Sequence, residues 1–156
     1  MTTKKEIPTT TVYYAYPDGA CITQTRFGGW GYVLSRDDME RKGSGGELQT
    51  TGNRMALTAV IKALEEFQRR RPKNPIVVRS GSQYVIKGIS EWIISWKRNG
   101  WCNASKKPVE NADLWQQLDT LNEALNVTWE WVKGHSGDPL IKKADALARA
   151  AIPKHQ

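Results

Sequence analysis

The stretch NRMALTAVIKALEEFQRRRPKNPIVVR, residues 53–79, decides the fold class because it joins a helix to a buried strand. Apolar residues recur at helical spacing at Met55, Ala59 and Phe67, and Asn53 is of a type favoured at the N-cap. The prolines after the helix stop it, and the compact apolar run IVVR that follows is typical of a strand buried on both faces. A helix followed at once by a buried strand indicates an α/β domain.

On both sides of this stretch, β-branched and aromatic runs predict further strands, and apolar periodicity predicts further helices. The tripeptide PDG after the first strand predicts a turn. The predicted elements are strands at 9–16, 23–35 and 48–51, short helices from Ser82 onward, a helix at 113–124, a strand at 127–132 and a terminal helix at 139–152. This order predicts an α/β fold with a mixed β-sheet.

The length of 156 residues suits one domain with a substantial core. We expect a flexible N-terminal arm at 1–8, the domain at 9–152 and a short tail at 153–156. No apolar run approaches the ~20 residues of a membrane span, and the first residues lack the apolar stretch of a secretory signal. The expectation is a cytoplasmic protein without a membrane contact.

Charge and cysteine content limit the possible partners. The net charge is +7, which points weakly to a polyanionic partner. The basic run at 69–73 follows the predicted helix and suits the negative end of its dipole. Cys21 and Cys102 are far apart and in no metal-ligand spacing, so we expect two reduced thiols and no zinc.

Eight segments, in order and at matching spacing, resemble the bacterial type 1 ribonuclease H family. They are DGAC at 18–21, GGWGYVL at 28–34, TGNRM at 51–55, SQYV at 82–85, EWIISWKRNGW at 91–101, KKPVENADLW at 106–115, TWEWVKGHSG at 128–137 and DALARAA at 145–151. The resemblance implies a ribonuclease H-like fold, a five-stranded mixed β-sheet flanked by α-helices. It also implies hydrolysis of the RNA strand of RNA–DNA hybrids by two Mg²⁺ ions about 4 Å apart, held by four carboxylates.

This chain departs from the family pattern at two of those four carboxylates. Asp18 and Asp145 match the first and fourth, whereas Ala56 and Gly81 occupy the positions of the second and third. The resemblance gives His135 a role in moving protons. Because transition-state charge stabilisation is a large catalytic contribution, we expect a catalytically defective pseudoenzyme whose metal site, Asp18 and Asp145, is weak or vacant. Binding would then require no cofactor, and Mg²⁺ or Mn²⁺ would matter only for residual nuclease activity.

The residues that the resemblance assigns to nucleic-acid binding match the family pattern better than the carboxylate positions do. Aromatic rings and cations on one ridge suit phosphates and sugars, and a few polar side chains match contacts in the minor groove and at a phosphate. Trp115, in contrast, is expected to be a packing residue. The predicted contacts are Gln24, Thr51, Asn53, Gln83, Trp92, Trp96, Lys97, Arg98, Trp101, Lys106, Lys107 and Asn111.

Three hypotheses follow for the function. The first is a binder of RNA–DNA hybrid or other double-stranded nucleic acid that does not cleave it. The second is a protein-interaction or regulatory module, for example in a replication or phage-related assembly, which would co-purify with a protein and not shift a hybrid in a gel. The third is a residual metal-dependent nuclease that acts on RNA–DNA hybrids.

Overall fold

The structure, a computed structural model, describes residues 7–133 and 137–155. The described residues form five strands and five α-helices, and a π-helical turn at Gly88–Trp92 joins the second and third helices. The elements are β1 Tyr13–Cys21, β2 Gly28–Arg36, β3 Met39–Glu47, α1 Gly52–Arg70, β4 Pro75–Ser80, α2 Gln83–Lys87, α3 Ile93–Arg98, α4 Ala112–Ala124, β5 Asn126–Trp131 and α5 Pro139–Ala150. None of the helices in these ranges combines the length and the apolar character that a membrane span requires.

The strands form one sheet in the order β3-β2-β1-β4-β5. β1 pairs antiparallel with β2 and parallel with β4, β2 pairs antiparallel with β3, and β4 pairs parallel with β5. The predicted five-stranded mixed sheet with flanking helices is therefore confirmed.

Helices cover both faces of the sheet. Successive side chains of a strand point to opposite faces, so Ala15 and Tyr16 of β1 mark the two sides. Ala15 belongs to the larger core, which α1 and α4 complete, whereas Tyr16 packs in a smaller cluster with Ile141 and Ala144 of α5. The sheet therefore lies between α1 with α4 on one face and α5 on the other.

The first strand extends further than the sequence predicts. PDG does not turn the chain, because Pro17, Asp18 and Gly19 pair in register with β2 and lie inside β1. The pairing partner outweighs the local turn preference of these residues. Asp18 therefore lies within a strand of the sheet.

The third strand lies in the glycine-rich stretch and not at 48–51. β3 is an edge strand, Met39–Glu47, in which Gly43 pairs with Tyr32 and Gly45 with Trp30. A Cβ atom at Gly43 would lie 2.4 Å from the Tyr32 ring, and one at Gly45 would lie 2.5 Å from the Trp30 ring. Glycine occurs here because aromatic rings from β2 lie across β3.

The first helix begins earlier than expected. Its N-cap is Thr51 and not Asn53, since the Thr51 hydroxyl accepts a hydrogen bond from the Arg54 amide at 3.1 Å. The first two strands begin later than predicted, at Tyr13 and Gly28 instead of residues 9 and 23. The ends of β4, α4, β5 and α5 differ from the predicted ends by at most two residues. The predicted domain limits at residues 9 and 152 stay predictions, and most of the predicted arm lies outside the described residues.

Candidate active site and nucleic-acid interface

The first of the predicted acidic residues, Asp18, lies where β1 meets the start of α1. A Cβ atom at the neighbouring Gly19 would be 2.5 Å from the backbone nitrogen of Ala56. The helix can approach the strand this closely only because residue 19 has no side chain. The backbone of β1 at this point therefore lies against the first turns of α1, and the Asp18 carboxylate accepts the Gly19 amide hydrogen at 2.9 Å.

The second acidic residue, Asp145, comes to the same region on α5. Asp18 pairs across the strands with Gly31, and a Cβ atom at Gly31 would be 2.7 Å from Cβ of Leu147 and 3.0 Å from the carbonyl oxygen of Ala144. The turn of α5 that contains Asp145 therefore crosses the sheet beside Asp18.

Gly81 follows the end of β4. The parallel pairing of β1 with β4 runs from Tyr13 opposite Ile76 to Ala15 opposite Val78, so Gly81 follows β4 toward the same end of the sheet as Asp18. The structure thus brings positions 18, 56, 81 and 145 to one end of the sheet. This convergence matches the arrangement that the resemblance implies, although two of the positions have no carboxylate.

The described residues at this end do not fit a pair of metal ions. Within residues 7–133 and 137–155, no group of three or more His, Cys, Asp or Glu side chains is arranged to hold a metal. The Asp145 carboxylate accepts two hydrogen bonds from Nε of Arg149, at 3.0 and 3.1 Å. The resemblance implies Mg²⁺ ions, but Ala56 and Gly81 supply no ligand for them.

Arg149 was not predicted as a site residue, although its spacing of four residues from Asp145 on a helix is a readable signal. His135, predicted to move protons, lies outside the described residues. Nearby, the Asp138 carboxylate caps α5 by accepting the Leu140 amide hydrogen at 2.8 Å. Asp138 therefore has a structural role at the start of this helix.

The predicted ridge of aromatic and basic residues surrounds α3 and the loop that follows it. We call this set the basic ridge: Trp92, Trp96, Lys97, Arg98, Trp101, Lys106 and Lys107. Trp92 is 38% exposed, whereas Trp96 and Trp101 are half-buried against the core. The rings of Trp92 and Trp96 lie 5.9 Å apart, and those of Trp96 and Trp115 lie 5.2 Å apart. Trp92, Trp96 and Trp115 therefore form a continuous cluster of tilted rings on the core.

Trp115 is the buried member of this cluster of rings. It is fully buried, as expected of a packing residue, and its indole nitrogen donates to the Tyr84 hydroxyl at 3.0 Å. A Cβ atom at Gly88 would lie 2.0 Å from the Trp115 ring, so the π-helical turn passes directly over it. The position of the ridge depends on this buried ring.

The cations of the ridge differ in their availability. The Lys97 ammonium group lies 3.2 Å from an Asp119 carboxylate oxygen and also contacts Glu123. The hydrogen bonds to Glu123 and Asp119 raise the pKa of Lys97. Arg98, Lys106 and Lys107 are exposed. Binding a phosphate through Lys97 would therefore first weaken two existing ion pairs.

The remaining predicted contacts come from the β1–β2 loop, the start of α1, the start of α2 and the residue before α4. Gln24, Asn53 and Gln83 are exposed, and Thr51 is the N-cap of α1. Asn111 is positioned by its neighbours, since its amide nitrogen donates to Tyr84 and its amide oxygen accepts from Arg54, both at 3.1 Å.

Arg54 is a site residue that the sequence did not indicate. Its guanidinium also forms paired hydrogen bonds with Asp113, at 3.0 and 3.1 Å. The hydrogen bond from Arg54 lowers the pKa of Asp113, and the same bond raises the pKa of Arg54. The pairing joins residues 59 positions apart, so no local pattern could have predicted it.

Comparisons with known proteins agree with this architecture. The sequence pattern of the RNase H family matches residues 10–153. A relative named ribonuclease H, from Cupriavidus necator, is 52% identical over 139 residues, which cover 88% of this chain and 92% of that protein. The crystal structure of LC9-RNase H1, a type 1 RNase H with the type 2 active-site motif, is 29% identical with a TM-score of 0.82, covering 95% of this chain and 74% of that one.

LC11-RNase H1 in complex with RNA/DNA hybrid shares the fold, with 18% identity and a TM-score of 0.69 over 90% of this chain and 96% of that one. The expectation of a pseudoenzyme that binds hybrid without cleaving it is contradicted, because relatives of about 50% identity named ribonuclease H support an active ribonuclease H. Ala56 and Gly81 describe the composition of the site and do not by themselves show lost activity. From the pattern match and the shared fold, the chain belongs to the ribonuclease H family.

Proposed function

We propose that this chain acts on RNA–DNA hybrids as a ribonuclease H and cleaves their RNA strand. The observation that supports this most is the 52% identity to a protein named ribonuclease H over nearly the whole of both chains. The geometry agrees with it, because Asp18 and the turn of α5 that contains Asp145 lie at one end of the sheet.

We call the end of the sheet around Asp18 the strand end. The basic ridge and the strand end are proposed to act together on one duplex. Exposed cations such as Lys106 and Lys107 would contact phosphates, and the exposed edge of Trp92 would pack on sugars. Asn53 and Gln83 would lie at the minor groove, where 2′-hydroxyl groups distinguish RNA from DNA. Binding of this kind requires no metal, so we expect it to persist in EDTA and to weaken strongly with salt.

Cleavage is proposed to depend on Asp18 and Asp145, with His135 as the proton-transferring residue. Mg²⁺ or Mn²⁺ is the cofactor expected for cleavage. Because the described residues do not fit the paired metal site, we assign no step of the reaction to a metal ion. The residues of the chain would orient the duplex and present the two carboxylates to its RNA strand.

The test is cleavage of an end-labelled RNA–DNA hybrid by the full chain in Mg²⁺, in Mn²⁺ and in EDTA. We expect metal-dependent cleavage of the RNA strand that Asp18→Asn removes. The matched control is Asp37→Asn, an exposed aspartate in the β2–β3 turn, which should cleave like the parent chain. Absence of cleavage in either metal, or equal cleavage by Asp18→Asn, would refute the proposal.

A further inference from the structure

A second cationic site lies at the opposite end of the sheet from Asp18. A cavity of about 330 Å³ opens there, lined by arginines 36, 41, 69, 70 and 71 and by Tyr13 and Phe67. We call it the arginine pocket. Tyr13 starts β1 and Asp18 is five residues further along, so the pocket is roughly 17 Å from the strand end described above.

The arginines reach the pocket from three segments of the chain. Arg69 and Arg70 end α1, where cations suit the helix dipole. Arg36 ends β2 and Arg41 lies in β3, and neither has a helix end to explain it. The fold therefore gathers cations here beyond those that the helix end would attract.

One carboxylate is shared by three of these guanidinium groups. Glu66 lies 2.6 Å from Nε of Arg70 and 3.8 Å from Nη1 of Arg41, and it also accepts from Arg69. Hydrogen bonds from Arg70 and Arg69 lower the pKa of Glu66. The side chains of Arg41, Arg69 and Arg70 remain 50%, 67% and 51% exposed. Since each guanidinium has five N–H donors, most of their donors still face solvent.

The floor of the pocket is held by Tyr13. Its hydroxyl accepts from Nε of Arg71 at 3.2 Å, its ring lies 5.3 Å from Phe67, and the Arg36 guanidinium lies 5.8 Å from its centroid. The other lining carboxylate, Glu40, already accepts from the Lys143 ammonium group at 2.8 Å. The lining thus keeps an excess of positive charge on an ordered aromatic base.

We propose that the arginine pocket binds a phosphate monoester of nucleotide size. A phosphate monoester concentrates nearly two negative charges on one centre at neutral pH, which suits guanidiniums that already converge on the single carboxylate of Glu66. The cavity volume lies at the small end of ligand pockets, enough for one nucleotide and too little for a folded peptide segment. The phosphate could come from a free nucleotide or from the phosphorylated end of a nucleic-acid strand.

The experiment titrates the full chain with AMP and with adenosine by calorimetry, in a phosphate-free buffer. We expect AMP to bind and adenosine not to bind. The variant Arg41→Gln/Arg70→Gln should weaken AMP binding by about tenfold or more. Its control, Lys87→Gln/Lys154→Gln, removes two exposed charges outside both the arginine pocket and the basic ridge and should leave AMP binding unchanged.

A second pair of ligands distinguishes the two sources of phosphate. If the phosphorylated ends of nucleic-acid chains are bound, a 5′-phosphorylated dinucleotide should bind at least as well as AMP. The same dinucleotide with a 5′-hydroxyl group should not bind. If only free nucleotides are bound, AMP alone should bind. Either result supports the pocket as a phosphate site. In case the pocket variant is unstable, amide shifts of the parent chain with inorganic phosphate should concentrate at Tyr13 and Arg71.

Three outcomes would overturn the proposal. These are equal binding of adenosine and AMP, loss of AMP binding in the Lys87→Gln/Lys154→Gln control but not in the pocket variant, and a tetra-aspartate peptide that binds the pocket more tightly than AMP. The readout is binding alone, so failure of hybrid cleavage would leave this test unaffected.

Discussion

The strand end around Asp18 and the basic ridge are neighbouring regions built in different ways. At the strand end, the positions that the family fills with carboxylates converge, yet Ala56 and Gly81 supply no charge and Asp145 is paired with Arg149. At the ridge, the predicted aromatic and basic residues are all present. The Trp96 ring packs at a tilt against the buried ring of Trp115.

The two regions differ in how far they depend on the hydrophobic core. The ridge is part of the core, because Trp96 and Trp101 pack against it, so its shape is protected by the free energy of folding. The chemistry of the strand end rests on the half-buried carboxylates of Asp18 and Asp145, which belong to neither core cluster. Substitutions at the two regions should therefore have different consequences.

The largest expected effect is on the support of the ridge. Trp115→Ala removes a fully buried indole and one of the two hydrogen bonds that the Tyr84 hydroxyl accepts, so the free energy of unfolding should fall by about 3–5 kcal/mol. Chemical denaturation measures this loss. Trp131→Ala, at a side chain that is 44% exposed, is the matched control and should cost far less. Similar losses for both variants would contradict the view that the ridge stands on the core.

The next effect concerns the strand end. Ala56→Glu with Gly81→Asp would add two carboxylates beside Asp18, and we expect Mg²⁺-dependent cleavage of hybrid to rise by about a hundredfold or more. The rate with labelled hybrid is the measurement. The uncharged pair Ala56→Gln with Gly81→Asn controls for size. An equal rise in the cleavage rate of both variant pairs, or no rise in the charged pair, would show that the missing carboxylates do not limit cleavage.

A smaller effect is expected at the ridge surface. Lys106→Glu should weaken hybrid binding about tenfold at low salt and reduce the slope of affinity against salt. Lys97→Gln should weaken it less, because Asp119 and Glu123 already hold that ammonium group. Fluorescence anisotropy in EDTA measures both, with Lys42→Glu on the edge strand β3 as control. Equal weakening by Lys42→Glu would mean that net charge, and not the ridge, determines affinity.

The smallest effect is at the Arg54–Asp113 pair between the two regions. Asp113→Asn should cost less than about 1 kcal/mol at pH 7, because the carboxylate is largely exposed. Arg54 holds the pKa of Asp113 below its usual value. The contribution is therefore complete above about pH 4 and is lost as the pH falls through the lower folded-state pKa. Thermal unfolding should show a difference between parent and variant at pH 7 that shrinks as the pH falls below about 4; a constant difference would contradict it.

The sequence by itself determined the elements whose signals are local. The apolar period of α1, the buried run of β4 and the eight ordered segments were enough for the fold and the family. They also identified Asp18, Asp145 and the residues of the ridge. Their roles in catalysis and binding stay predictions.

Only the tertiary structure decided what depends on partners distant in sequence. β3 forms from a glycine-rich stretch because Tyr32 and Trp30 lie across it, and PDG stays extended because β2 pairs with it. Arg54 meets Asp113, and arginines from three segments meet around Glu66, only after the chain has folded. Periodicity and propensity describe neighbours along the chain, whereas these contacts form across the fold, where strand pairing and packing outweigh local preference.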